Sequence, residues 1–198
     1  MSTVVMHGVV SVDGFIAGPD DQVGPLFDWY GNGDVPLGGG NRVSEASAAY
    51  VRPQWDSLGA MIIGRRLFDL TDGWDARPPA GEHVVVVSHR PRPADWHPEA
   101  THYHFAEDVT SAVAAAKERA GGRRVAVAAG DVGGQAFALG LVDEVAMDVA
   151  PVVLGTGRPY FGPTAPGPYL LEDPDVVVRG DRVLHLLYRV RKGQSRRP

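Results

Sequence analysis

A chain of 198 residues, 44% hydrophobic and 22% charged, suits one globular domain with a core large enough to need no covalent staples. The absence of cysteine excludes disulfides, thiolate metal sites and cysteine nucleophiles, and a formal charge of −5 argues against a nucleic-acid partner. No apolar run approaches the ~20 residues of a membrane helix, and no basic-then-apolar secretory signal opens the chain, so the expectation is a cytoplasmic protein without a membrane partner. One domain over residues 1–192 is expected, with a solvated basic tail over 193–198 that holds Arg196-Arg197.

In chain order, Val4 to Val10 is apolar apart from His7 and reads as a first strand, opening into Ser11-Val12-Asp13-Gly14-Phe15-Ile16-Ala17-Gly18. The segment from Gly18 to Asn41 is polar and rich in glycine and proline. Its length reads as a lid or binding loop whose aromatics, Phe27, Trp29 and Tyr30, either stack on a flat heterocycle or pin the loop to the core. Ser44 to Val51 is a predicted helix, capped by Ser44 and limited by Pro53. Ala60 to Ile63 reads as a buried strand that ends in Gly64-Arg65-Arg66, with a helix onward to Leu70. Asp69, Asp72 and Asp75 flank a turn without a metal-loop pattern and read as solvated. His83 to Val87 is a third strand, closed by Ser88-His89-Arg90, and the proline-rich stretch to Pro98 is a connection. His102 and His104 share a face of an extended stretch, but no third ligand completes a site, and no metal is expected.

Asp108 to Ala120 is the clearest helix, capped by Asp108, striped by Val109, Ala112, Val113 and Ala116, and ended by Gly121-Gly122. It feeds an apolar strand, Val125 to Ala129, which empties into Gly130-Asp131-Val132-Gly133-Gly134 and a helix of roughly Val132 to Leu139. A glycine turn leading into a helix start presents N–H groups and the positive dipole end, an arrangement suited to an anion such as a pyrophosphate. A strand from Glu144 to Val153 follows, then the Gly155-Thr156-Gly157-Arg158-Pro159 loop. Tyr169 to Val178 and Arg182 to Arg191 read as a hairpin joined at Gly180-Asp181. Alternating helices and strands closed by a hairpin indicate an α/β sheet with mixed edges.

The stretch GGQAFALGLVDEVAMDVAPVVLGTGRPYF resembles the reductase domain of riboflavin biosynthesis, the C-terminal half of the bifunctional deaminase-reductase, within the dihydrofolate-reductase-like superfamily. SVDGFIAGPD, MIIGRRLFD and HVVVVSHRP extend the resemblance over most of the chain. It implies a three-layer fold with a mixed, mostly parallel central sheet, flanking helices and a C-terminal antiparallel hairpin. It also implies NADPH as cofactor, a small-molecule substrate and a homodimer.

Carried onto this chain, the resemblance sets Val12, Asp13, Gly14 and Ala17 beside the nicotinamide and substrate. Gly64, Arg65 and Arg66 match positions that hold cofactor phosphates, for which a planar guanidinium fork is suited. Ser88 and Arg90 match the pattern that meets the adenosine 2′-phosphate and favours NADPH over NADH. Gly130, Asp131, Val132, Gly133, Gly134 and Gln135 complete the cofactor set, Asp13 is the catalytic candidate, and Gly14, Trp29 and Glu45 are the substrate candidates. Asp13, Asp28 and Glu45 are each a conceivable proton donor or substrate anchor, with turn forming, loop solvation and helix N-terminal charge as their ordinary roles.

The expected activity is hydride transfer from NADPH to a small heterocyclic or sugar-phosphate substrate, such as 5-amino-6-(5-phosphoribosylamino)uracil. Dihydrofolate reduction fits less well, because Trp29 precedes a glycine-rich loop and Glu45 falls outside the expected helical context. The alternative is a nucleotide-binding or regulatory protein that keeps the fold without turnover.

Overall fold

The computed structural model describes residues 2–163 and 167–191. The expected basic tail lies outside the described residues. Two parallel runs form the centre: β1 (Val4–Ser11) pairs with both β8 (Arg124–Ala128) and β9 (Glu144–Ala150), and β5 (Leu58–Gly64) pairs with β8 and β6 (His83–Val87). β7 (Tyr103–Ala106) extends the parallel set beyond β6. β12 (Val183–Arg189) joins β9 antiparallel and hairpins to β11 (Val176–Gly180), giving the order β11-β12-β9-β1-β8-β5-β6-β7. The mixed, mostly parallel eight-stranded sheet with flanking helices is the architecture expected.

One face is closed by α3 (Val109–Arg119) and α4 (Asp131–Ala138). Met6, Ile62, Val125 and Val127 are fully buried against Ala112, Ala116 and Ala136 there. The helical stripe read from sequence is this contact: Asp108 caps α3 by accepting from Ser111 N–H at 2.8 Å, and Val109, Ala112, Val113 and Ala116 point inward. The opposite face is covered in two parts. α1 (Glu45–Asp56) packs over β11, and α2 (Arg65–Thr71) packs over β5 and β6. A 3-10 helix over Gly24–Gly31 and the small hairpin β3 (Val35–Gly38)–β4 (Asn41–Val43) fill in beside α1. β2 (Phe15–Ala17) and β10 (Arg158–Pro159) form a second small ladder.

Four boundaries differ from expectation, each for a local reason. The 18–41 segment is structured rather than an open loop, because Leu26, Trp29 and Leu37 are buried with Val9 and Val183. α1 runs on through Pro53 to Asp56: the ring removes one N–H near the helix end, while Arg52 holds the carbonyl of Pro36 at 2.6 Å and Trp55 packs on the core. β9 stops at Ala150, where Pro151 offers no N–H to a ladder. Residues 169–175 contribute only a single bridge, Leu171 to Val190, so the hairpin is shorter and turns at Asp181-Arg182.

Candidate functional site

Because β1, β5, β6, β8 and β9 run the same way, their carboxyl ends reach one rim of the sheet. That rim gathers Val12 and Asp13 after β1, Gly64 to Arg66 after β5, Ser88 to Arg90 after β6, and Gly130 to Gly134 after β8. Arg65 Nε donates to Asp69 Oδ1 at 2.7 Å and its Nη1 to Pro91 O at 3.0 Å, with Ser88 Oγ 3.4 Å away. Arg90 Nη2 donates to Asp69 Oδ2 at 2.8 Å, and its backbone N–H to Ser88 Oγ at 3.0 Å. Arg66 and Arg158 converge from two elements on Asp21.

Asp21, Arg65, Arg66, Asp69, Leu70 and Arg90 line a cavity of about 410 Å³. Three guanidinium groups against two carboxylates make it cationic. Hydrogen bonding from Arg66, then from Arg158, outweighs burial and holds the Asp21 carboxyl below its usual range. Burial pushes Asp69 the other way, but Arg65 and Arg90 win and its pKa is also lowered. Both carboxylates are therefore anions that hold the arginines in place.

Both carboxylate oxygens of Asp13, the catalytic candidate, are engaged by donors. Its Oδ1 accepts from Ser11 Oγ at 2.6 Å and from Leu154 N–H at 3.1 Å, and its Oδ2 from Gly155 N–H at 2.7 Å. The Ser11 bond leads in lowering its pKa, so it stays ionised and ties the 154–155 loop to the end of β1. Ser11 Oγ in turn accepts Phe15 N–H at 2.9 Å, closing the turn in which Gly14 holds φ 89°.

The glycine turn after β8 is likewise built for packing. A Cβ at Gly133 would lie 2.6 Å from Ala128 O, and one at Gly134 only 1.8 Å from Phe161 O. These glycines let α4 lie close on the sheet and let the 161–162 chain cross it. Gly130 N–H is bonded to Tyr160 O at 2.7 Å. Asp131 sits exposed in the first turn of α4, so a carboxylate already stands at the dipole's positive end. Gln135 is exposed, while Val132 is buried beneath the turn.

Elsewhere the rim is apolar: Val12 is 64% exposed, and Ala17 is buried where its carbonyl meets the chain at Gly157. Glu45 is exposed at the start of α1, whose cap Ser44 reaches the β11–β12 turn through Asp181 N–H at 3.4 Å. Trp29 pins its segment to the core: it is 1% exposed, stacks on Tyr30 at 4.0 Å and meets His185 edge-on at 5.3 Å. The acidic trio is dispersed, Asp69 on arginines, Asp72 on Trp96 Nε1 and Asp75 on His97. Among the described residues no group of histidines and acids is placed to hold a metal.

One constellation escaped the sequence reading. His7 Nε2 lies 2.9 Å from Asp148 Oδ2, Asp148 Oδ1 lies 2.6 Å from His185 Nδ1, and His185 Nε2 lies 2.9 Å from Ser47 Oγ. Asp148 and His185 are 3% and 0% exposed. The available signal was the interruption of three apolar runs, around His7, Asp148 and His185, by one polar residue each. That the three strands are neighbours in the order β12-β9-β1 is not legible from any one of them.

A family model for the RibD C-terminal domain matches residues 2–183. Among solved structures, the fold is similar to that of a protein ascribed to riboflavin biosynthesis from Shewanella sp. PV-4, at TM-score 0.69 and 17% identity, covering 96% of this chain and 99% of that one. A pyrimidine reductase-like protein from Corynebacterium diphtheriae matches at TM-score 0.62 and 13% identity, covering 97% and 93%. A diaminohydroxyphosphoribosylaminopyrimidine deaminase/5-amino-6-(5-phosphoribosylamino)uracil reductase from Thermotoga maritima matches at TM-score 0.60 and 12% identity. That match covers 96% of this chain and 56% of the Thermotoga protein. No curated protein matches the sequence significantly.

Proposed function

Because this chain belongs to the RibD C-terminal domain family of riboflavin-pathway reductases, we propose that it is an NADPH-dependent reductase acting on a phosphoribosylamino-pyrimidine or a related small heterocycle. The observation that carries the reading is the cationic cavity at the strand ends, where Arg65, Arg66 and Arg90 surround about 410 Å³ beside Ser88. Arg90 is two-thirds exposed and bonded to Asp69 through one nitrogen, which leaves most of its fork to meet a 2′-phosphate. Arg65, more enclosed at 17%, is held by Asp69 and Pro91 in a fixed orientation toward the cofactor's phosphates. Val12 and Ile16 offer apolar surface for a flat ring beyond the phosphates.

Bound NADPH would supply the hydride, and the protein would orient it against the substrate. Asp13, committed to three donors, positions the Gly155 loop over that place. The proton that completes reduction is assigned to solvent at the open rim.

Titration of the protein with NADPH and with NADH, followed by tryptophan quenching and energy transfer to the nicotinamide, tests the reading. NADPH-selective binding, and oxidation of NADPH on addition of a phosphoribosylamino-pyrimidine, are expected. No binding of either cofactor overturns it, and binding without oxidation across pyrimidine, pterin and carbonyl substrates assigns the chain to a non-catalytic nucleotide-binding role.

A further inference from the structure

Asp21 joins parts of the chain that lie far apart in sequence. Its Oδ2 accepts from Arg66 Nε at 2.7 Å and also from Arg66 Nη2, at the start of α2, while its Oδ1 accepts from Arg158 Nε in β10. The Asp21 side chain is 8% exposed, Arg158 33% and Arg66 61%. The turn that carries Asp21 is itself closed. Gly18 N–H bonds to Gln22 O at 2.8 Å and Asp21 N–H to Gly18 O at 3.1 Å, and Asp21 takes a left-handed φ of 67°, which aspartate and asparagine tolerate.

The two arginines are unequal ends of this bridge. Arg158 is fixed through its backbone, because β10 pairs with β2 at Ala17 and Gly157 packs on the Ala17 carbonyl, where a Cβ would lie 2.0 Å away. Arg66 instead lines the cavity with Arg65 and Arg90. A long exposed side chain samples many rotamers, and ordering it on ligand binding costs affinity. Asp21 meets that cost in the folded protein. It grips Arg66 side-on, through Nε and Nη2, and Arg66 Nη1 has no partner among the described residues. A guanidinium held along one edge keeps its outer end, Nη1 with the second proton of Nη2, for another oxyanion.

We propose that Asp21 is a positioning residue for oxyanion binding: anchored by Arg158, it holds Arg66 side-on so that the outer end of the guanidinium meets a diphosphate group in the cavity. The proposal rests on the reductase reading for the ligand's identity as a dinucleotide, and on the cavity for its chemistry. Its consequence is opposite in sign to that of charge alone. Removing a carboxylate from a cationic cavity tightens an anion by Coulomb's law, whereas losing the hold on Arg66 weakens it.

The test is calorimetric titration with inorganic pyrophosphate and, separately, with NADPH, on the wild-type protein, Asp21→Asn, Arg66→Gln and the double variant. Asparagine keeps the left-handed turn and removes the charge. Asp21→Asn is expected to weaken both ligands by about tenfold where Arg66 is present, and by less than about twofold once Arg66 is glutamine. A role confined to the turn would lower the melting temperature and leave the affinities alone, or cost the same in both backgrounds. Arg158→Gln, which releases the anchored end, is expected to weaken pyrophosphate in the same Arg66-dependent way by a smaller factor, and carries the test if Asp21→Asn folds poorly. Unchanged or tighter pyrophosphate binding in Asp21→Asn, an equal loss with and without Arg66, or a wild-type protein that binds neither ligand overturns the proposal. Pyrophosphate binding with the expected coupling but no binding of NADPH removes the reductase reading and keeps the role of Asp21.

Discussion

Asp13 shows how a single carboxylate can be committed to the backbone it organises, with its oxygens accepting from Ser11 Oγ and from the Leu154 and Gly155 N–H groups. Its folded-state pKa is depressed, so the stability it adds is fully present above the usual carboxylate pKa and is lost as pH falls through the folded value. Asp13→Asn is therefore expected to lower the melting temperature at neutral pH, with the gap from wild type closing on acidification; a scanning-calorimetry pH series checks this. The arginines divide differently. Arg65→Ala is expected to weaken NADPH and NADH alike, whereas Arg90→Ala weakens NADPH by roughly tenfold or more and NADH far less, as a charge-assisted bond to one phosphate would. Equal losses for both cofactors in the Arg90 variant would remove the 2′-phosphate assignment. The residue types at these positions were readable in the sequence. Their partners were not, since Asp21 reaches Arg66 across 45 residues and Asp13 reaches Gly155 across 142.

At the level of elements, the strand–turn–α4 unit was visible in the sequence, but the reason for its glycines was not. A glycine after a strand signals close approach without saying to what, and here the approaching atoms are Ala128 O and Phe161 O. Gly134→Ala is expected to cost about 1–3 kcal/mol of unfolding free energy by denaturant titration, because the Phe161 carbonyl must move. Gly133→Val likewise strikes the α4–β8 packing, so its first effect is expected on stability rather than on cofactor entry. The 18–41 segment teaches the converse. Its composition reads as an open loop, yet Leu26 and Trp29 find Val9 and Val183, contributed by strands at opposite ends of the chain. Loop composition reports local turn chemistry, while burial depends on what lies opposite.

For the whole molecule, a ligand that binds only the folded state stabilises it by mass action. At 100 times its Kd, NADPH is expected to add about 2.7 kcal/mol, a rise of roughly 5–11 °C in melting temperature for a domain of this size. NADH at the same concentration is expected to add less. A homodimer, implied by the family resemblance, is to be checked by sedimentation; β11 supplies a sheet edge with Val177 60% exposed.

The main strands and helices and the Ser44 and Asp108 caps followed from periodicity and turn chemistry, which act within a few residues, and the mostly parallel centre was an expectation from the family resemblance. The strand order, the partners of Asp13, Asp21 and the glycines, and the chain from His7 through Asp148 and His185 to Ser47 were decided by the tertiary structure. Each of these is a pairing between residues distant in sequence, and an apolar run with one polar interruption has the same pattern whichever strand lies beside it.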